Sequence, residues 1–285
     1  MNTALLYAVL AAVFGGSVPV FSKYGLEVFP PFAMNSLRFF TATLVFLPFM
    51  VTHIKTLLHK KVLIASFVAL FNPILFIIAI NLTKASVAPL IYASVPLMVA
   101  IYGRYKGEKL SIKRWTGVII GFSGVALTVL LPVITSDNAD AGNFLGNILI
   151  FLAAIIFFAY TQLSKEIQDK KIATPTEVTF SFVFITFLAT LPFGIYDFTQ
   201  KVVISEATPL HLLAGIATGM IGTSIFYLVY QKALQASSAL TASLFVFIQP
   251  LATAFLAFLV LGETITIPFI IGGVLAIIGA KLASA

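Results

Sequence analysis

The chain has no cysteine in its 285 residues. That excludes a disulfide framework and a thiolate metal site. Charge is scarce as well: Asp, Glu, Lys and Arg together make up 9% of the residues. Catalytic signatures are missing. There is no phosphate-cradling glycine loop, no His-Glu-x-x-His and no Gly-x-Ser-x-Gly. His53 and His59 stand six apart in a polar loop and do not make a metal pair. The sequence therefore describes neither an enzyme nor an ATP-driven pump, and it calls for no cofactor or metal. What it does hold is apolar: 60% of residues are hydrophobic and the mean hydropathy is +1.08. A soluble domain cannot hide that much apolar surface, so the expectation is an all-α, polytopic membrane protein whose main partner is the lipid bilayer. The net charge of +7 is confined to a few loops, which reads as a topology signal and not as a nucleic-acid patch. The first apolar run lacks a basic leader and reads as a retained span.

Ten apolar runs are expected to be membrane helices: 3–23, 32–52, 62–82, 86–104, 113–132, 144–164, 177–197, 209–231, 238–261 and 265–284. Each is near the ~20 residues that cross about 30 Å of hydrocarbon. Helices are required because lipid offers no partner to open backbone groups. The stretch from Ala79 to Ala126 then recurs from Ala233 to Ala280. At an offset of 154, Ile80 meets Leu234, Asn81 meets Gln235 and Pro96 meets Pro250. One residue further on, Gly107-Glu108 meets Gly262-Glu263, and Gly117 and Gly124 meet Gly272 and Gly279. Earlier in each half, Ser22-Lys23 meets Ser164-Lys165 at an offset of 142. Landmarks of several kinds in one order argue for a duplication. The two repeats are 1–135, carrying spans 1–5, and 143–285, carrying spans 6–10. Five spans per repeat is odd, so the second repeat runs through the membrane inverted. With the amino terminus in the cytoplasm, thirteen of the 17 basic residues fall on the inner side and only Lys23, Lys84 and Lys201 on the outer. By the positive-inside rule both termini are expected in the cytoplasm, the membrane being the cell's inner or plasma membrane.

These features resemble the drug/metabolite transporter superfamily, in its ten-helix EamA branch. The resemblance rests on Gly15-Gly16-Ser17 to Lys23, on Pro31 to Arg38, and on the two blocks that end in Gly-Glu and glycine-rich spans. It covers nearly the whole chain. The family often has Trp where Gly15 and Phe157 stand, and the second repeat has no counterpart of Arg38. The resemblance implies a central cavity ringed by spans 1, 3, 4, 6, 8 and 9, with spans 5 and 10 behind. It also implies a secondary transporter of small organic solutes, an exporter of amino acids or related metabolites working by alternating access. The alternatives are an exporter of aromatic or quaternary cationic drugs, held by cation–π contacts, and a membrane scaffold that moves nothing.

Candidate cavity residues are polar or aromatic groups in the middle turns of those spans. They are Phe14, Asn72, Phe76, Tyr92, Phe157, Tyr160, Tyr227, Tyr230, Gln231, Phe245 and Gln249. An amide or phenol in hydrocarbon is costly unless paired, so these should point inward. Tyr227, Tyr230 and Gln231 share one helical face by their spacing. Pro96 and Pro250 sit at equivalent points of spans 4 and 9, where each would kink its helix; the kink is either a hinge or static packing. Arg38 is the one base within a span. It either snorkels outward or meets a substrate carboxylate, and a structural role is the plainer reading. The Gly117-x-x-x-Gly121 spacing suits close packing within one chain or a dimer face, leaving monomer and homodimer both open. Every acid falls in a loop or at a span end, so no side-chain proton carrier is expected in the cavity. That leaves facilitated diffusion or exchange as the expected mode of transport.

Overall fold

The computed structural model describes residues 3–83, 87–135, 143–201, 207–261 and 267–284. Lys84, Asp137, Asp140, Glu206 and Glu263 lie outside the described residues. Among those described, every regular element is a helix, and the helices form ten runs at the expected places. Spans 1, 2 and 3 are α1 (Thr3–Gly25), α2 (Pro31–Leu57) and α3 (Lys60–Leu82). Span 4 breaks at Ala93 into α4 (Val87–Tyr92) and α5 (Ser94–Tyr105), and span 5 is α6 (Ile112–Thr135). Spans 6 and 7 are α7 (Phe144–Asp169) and α8 (Pro175–Lys201). Span 8 is α9 (Pro209–Gly219), a π-helical stretch (Met220–Ile225) and α10 (Phe226–Ala236). Span 9 breaks at Leu244 into α11 (Ala239–Ser243) and α12 (Phe245–Leu261), and span 10 is α13 (Ile267–Ser284). Seven of these runs are each long and apolar enough to cross a bilayer.

Local chemistry sets the starts. Pro31 and Pro209 open α2 and α9 in the first turn, where a missing N–H costs nothing. Asn143 caps α7 by accepting from Gly146 N–H at 3.1 Å. Thr208 and His211 close a reciprocal capping box on α9. Outward faces carry large exposed apolar side chains such as Phe67, Leu152, Phe193 and Ile271, the surface that lipid covers.

The packing follows the duplication. Spans 5 and 10 pack on each other, and so do spans 2 and 7. Span 3 packs on span 6 as span 8 packs on span 1; span 1 packs on span 9 as span 6 packs on span 4. Each contact maps onto another, or onto itself, when span n is exchanged with span n+5. The span 5–span 10 seam is made of glycine. A Cβ on Gly117 would stand 2.8 Å from Gly279 O, and one on Gly124 would stand 2.6 Å from Gly272 O. Those two pairs exchange under the repeat. The glycine face that could have served a dimer is thus occupied within the chain.

Candidate functional site

Near the middle of the spans, the helices leave a narrow cavity with about 50 Å³ of room for water-sized molecules. Spans 1, 3, 4, 6, 8 and 9 all contribute to its wall, and span 2 adds Arg38. Asn72 is the polar centre. Its Nδ2 donates to Tyr92 OH and to Ala153 O, both at 2.7 Å, and its Oδ1 accepts from Tyr227 OH at 3.3 Å. One amide therefore ties spans 3, 4, 6 and 8 together. The aromatic wall surrounds it: Phe157 lies 6.1 Å from Tyr92, 6.5 Å from Tyr227 and 6.1 Å from Phe245, centroid to centroid.

The wall of span 1 is backbone as much as side chain. Pro19 lies inside α1 and has no N–H to give the carbonyl of Gly15, one turn earlier. Gln249 Nε2 donates to that freed Gly15 O at 3.0 Å. One turn on, Thr253 Oγ1 donates to Gly16 O at 3.0 Å. The two helices approach this closely because position 16 has no side chain: a Cβ there would stand 2.7 Å from Ala252 Cβ. Span 8 bulges at the same level. In its π-helical stretch Thr223 Oγ1 donates to Thr218 O at 2.9 Å and accepts from Arg38 Nε at 2.6 Å. A π-bulge shifts the residues after it around the helix axis, and such bulges recur at functional sites.

This arrangement of helices is shared with known proteins. The EamA-like transporter family matches residues 2–130 and 144–285. The chain belongs to that family. An uncharacterized transporter of Archaeoglobus fulgidus is 27% identical over 300 residues, covering 100% of this chain and 98% of its own length. The uncharacterized transporter YxxF of Bacillus subtilis is 27% identical, covering 87% of this chain and 79% of its own length. YedA, an uncharacterized inner membrane transporter of Escherichia coli K12, is 25% identical over 49% of this chain and 46% of its own. A crystal structure with 17% identity superposes with a TM-score of 0.77, covering 100% of this chain and 97% of that one, which shows the fold. This EamA-family chain is a multi-pass membrane transporter.

Of the residues singled out from sequence, Asn72, Phe76, Tyr92, Phe157, Tyr227, Phe245, Gln249 and Arg38 line the cavity. Tyr160, Tyr230 and Gln231 lie beyond its wall. Gln231 Nε2 donates to Tyr160 OH at 2.8 Å and to Ser164 Oγ at 3.1 Å, and Thr161 bonds Tyr230 OH. They form a second, fully buried network one turn further along spans 6 and 8. Phe14 packs on the core beside the cavity and does not line it. Pro96 falls in the first turn of α5, three residues past the break at Ala93. Pro250 sits inside α12, which runs on through it; the break in span 9 comes earlier, at Leu244. The two prolines are equivalent in sequence but do not mark equivalent breaks. Sequence reasoning passed over Pro19, Pro73 and Phe226, which line the cavity. A proline inside an apolar helix was the available signal for the first two.

Toward the two ends of the bundle, side chains at equivalent positions tie neighbouring spans together. At one end, Lys61 on span 3 meets Glu166 on span 6 at 2.6 Å, and Lys170 meets the same carboxylate at 2.7 Å. That hydrogen bond to Glu166 holds the Lys170 ammonium above its ordinary range. At the other end, Tyr24 on span 1 stacks on His211 of span 8 at 4.8 Å. Thr208 N–H donates to His211 Nδ1 at 3.1 Å, so Nε2 carries the proton and faces Glu27 Oε2 at 3.5 Å. Tyr24 and Glu166 are the same position at the offset of 142. Their neighbours Lys23 and Lys165 also correspond. Lys23 Nζ donates to Ile80 O at 3.3 Å and Lys165 Nζ to Leu234 O at 3.2 Å, each ammonium meeting the carbonyl end of a neighbouring helix.

Proposed function

We propose that the chain is a secondary transporter that carries a small organic solute through the membrane, with the central cavity as its substrate site. Export of amino acids or related metabolites is the work this reading assigns to it. The observation that carries it is the cavity's position: it lies near the middle of the spans and is walled by helices of both repeats, with Lys61–Glu166 toward one end of the bundle and Tyr24–His211 toward the other. Rocking of one repeat against the other would open one end while the other stays shut. The proposed membrane is the cell's inner membrane, with both termini and the Lys61–Glu166 end in the cytoplasm.

Flux in proteoliposomes tests the transport reading. Uptake of a substrate amino acid or metabolite should saturate with concentration and be accelerated by the same solute on the opposite side. Flux that rises linearly without limit belongs to an open channel and overturns the reading. Orientation is tested with single cysteines, which the cysteine-free chain accepts without background. A cysteine at Asn138 should react with an impermeant thiol reagent in intact cells, and one at Lys106 should be protected. The reverse pattern inverts the proposed topology.

A further inference from the structure

Arg38 is the feature of the cavity that the transport reading leaves unexplained. Its side chain is 3% exposed and stands in the cavity wall, so it does not snorkel to the surface. Among the described residues the guanidinium makes one hydrogen bond, from Nε to Thr223 Oγ1. The ring of Phe39 lies 5.2 Å away, and the phenols of Tyr227 and Tyr92 are close enough to interact with its charge. Four more N–H donors sit on the two Nη atoms. No carboxylate among the described residues pairs with it: the described acids bond elsewhere or lie at span ends. Nor does any acidic side chain among the described residues line the cavity. Asn35, one turn earlier on the same helix, is also fully buried, and neither of its amide atoms has a partner. A buried guanidinium without a counter-charge is among the least favourable groups a protein can hold, unless something else supplies the charge.

We propose that the cavity binds a small organic anion, its carboxylate or comparable acid group on Arg38 and its apolar body against Phe76, Phe157, Phe226 and Phe245. This deepens the transport reading and rests on it. The planar fork of a guanidinium suits a carboxylate's two oxygens. Asn72 and Gln249 offer neutral amides but no anion, so an ammonium group on the solute would find no charged partner. A net-negative solute is therefore preferred over a zwitterion, and both over a cation. The aromatic wall alone would have suited a cation; Arg38 decides against it. One consequence concerns energy. The inside-negative membrane potential pushes an anion outward, so its export needs no proton carrier in the cavity.

The test uses matched solutes of one shape and three charges: 3-phenylpropionate, 3-phenylpropionamide and 3-phenylpropylammonium, with hexanoate, hexanamide and hexylammonium as the aliphatic set. In thermal unfolding of the purified protein, a carboxylate should raise the midpoint, and its amide and ammonium partners should not. Arg38→Gln should weaken carboxylate binding about 10- to 100-fold, and Arg38→Lys should retain part of it. The comparison within a set uses the wild-type chain, so it stands even if a variant fails to fold. In proteoliposomes with valinomycin, tenfold higher potassium outside should drive about tenfold accumulation of the bound carboxylate inside. Three results overturn the proposal: no carboxylate binds, an amide or ammonium binds as well, or accumulation is the same without valinomycin. Saturable flux of neutral or cationic members alone would leave the transport reading standing and remove the anion. Carboxylate binding without flux of any solute would keep the anion site and remove the transport reading.

Discussion

The two repeats agree at their edges and differ at their centre. At the edges, Lys23 and Lys165 make the same contact, and Tyr24 and Glu166 meet His211 and Lys61 toward opposite ends. At the back, Gly117 and Gly279 pair as Gly272 and Gly124 do. The centre departs. Spans 2 and 7 both begin with a proline, Pro31 and Pro175, and are both 27 residues long. Arg38 in span 2 therefore corresponds to Phe182 in span 7, which is fully buried and lies 4.6 Å from Tyr227, centroid to centroid. One repeat brings a charge to the cavity wall; the other packs a ring against Tyr227, outside that wall. The scaffold keeps the duplication because helix packing depends on it. The cavity gives it up, because a solute without two-fold symmetry has no use for two identical walls.

The largest expected effect comes from breaking the shared seam. Valine at Gly124 or at Gly279 would drive side-chain carbon into the backbone of the facing helix, where nothing can yield cheaply. Both variants should lose monodisperse protein in detergent chromatography, and by similar amounts. If one tolerates valine and the other does not, the seam is less symmetric than its contacts.

Next come the tyrosines that converge on Asn72 from different repeats. Tyr92→Phe removes a 2.7 Å hydrogen bond and Tyr227→Phe one of 3.3 Å. Deleting a hydrogen-bond partner that leaves a buried amide unsatisfied costs about 1–3 kcal/mol. Transport or ligand affinity should fall about tenfold for Tyr92→Phe and a few-fold for Tyr227→Phe. The opposite order would mean that the second repeat holds Asn72 in place.

The smallest effect is expected at the ends, where the contacts are partly in water. Ser22 and Ser164 are equivalent, fully buried, and lie between the cavity and opposite ends. Cysteine at Ser164 should react faster with a thiol reagent when Lys61 is made alanine, and cysteine at Ser22 when His211 is. The Lys61 change should be the larger of the two, because Glu166 answers two ammonium groups while Glu27 faces one imidazole at 3.5 Å. Rates that stay unchanged at both ends would mean that neither contact closes the cavity.

The spans were legible because their length, their apolar composition and their opening prolines are all written along the chain. So was most of the aromatic wall, since a phenol or amide in hydrocarbon has few places to go. Depth was not legible. Helical spacing puts Tyr227, Tyr230 and Gln231 on one face, but only packing decides that Tyr227 meets the cavity and the others a network beyond it. Backbone was not legible either. Gly15 carries no polar side chain, yet its carbonyl is a cavity acceptor because Pro19 frees it. The break in span 9 escaped for a related reason. A proline names the carbonyl it leaves unpaired, but it does not name where the helix is interrupted, here at Leu244 and not at Pro250. Arg38 was visible as a lone charge, but whether it reached water depended on what surrounds span 2.

The glycine seam has a meaning in the vocabulary of oligomers. A contact that maps onto itself when its two sides are exchanged is isologous, the kind that joins two copies in a symmetric dimer. Here that contact lies inside one chain, so each repeat meets the other as a subunit meets its twin.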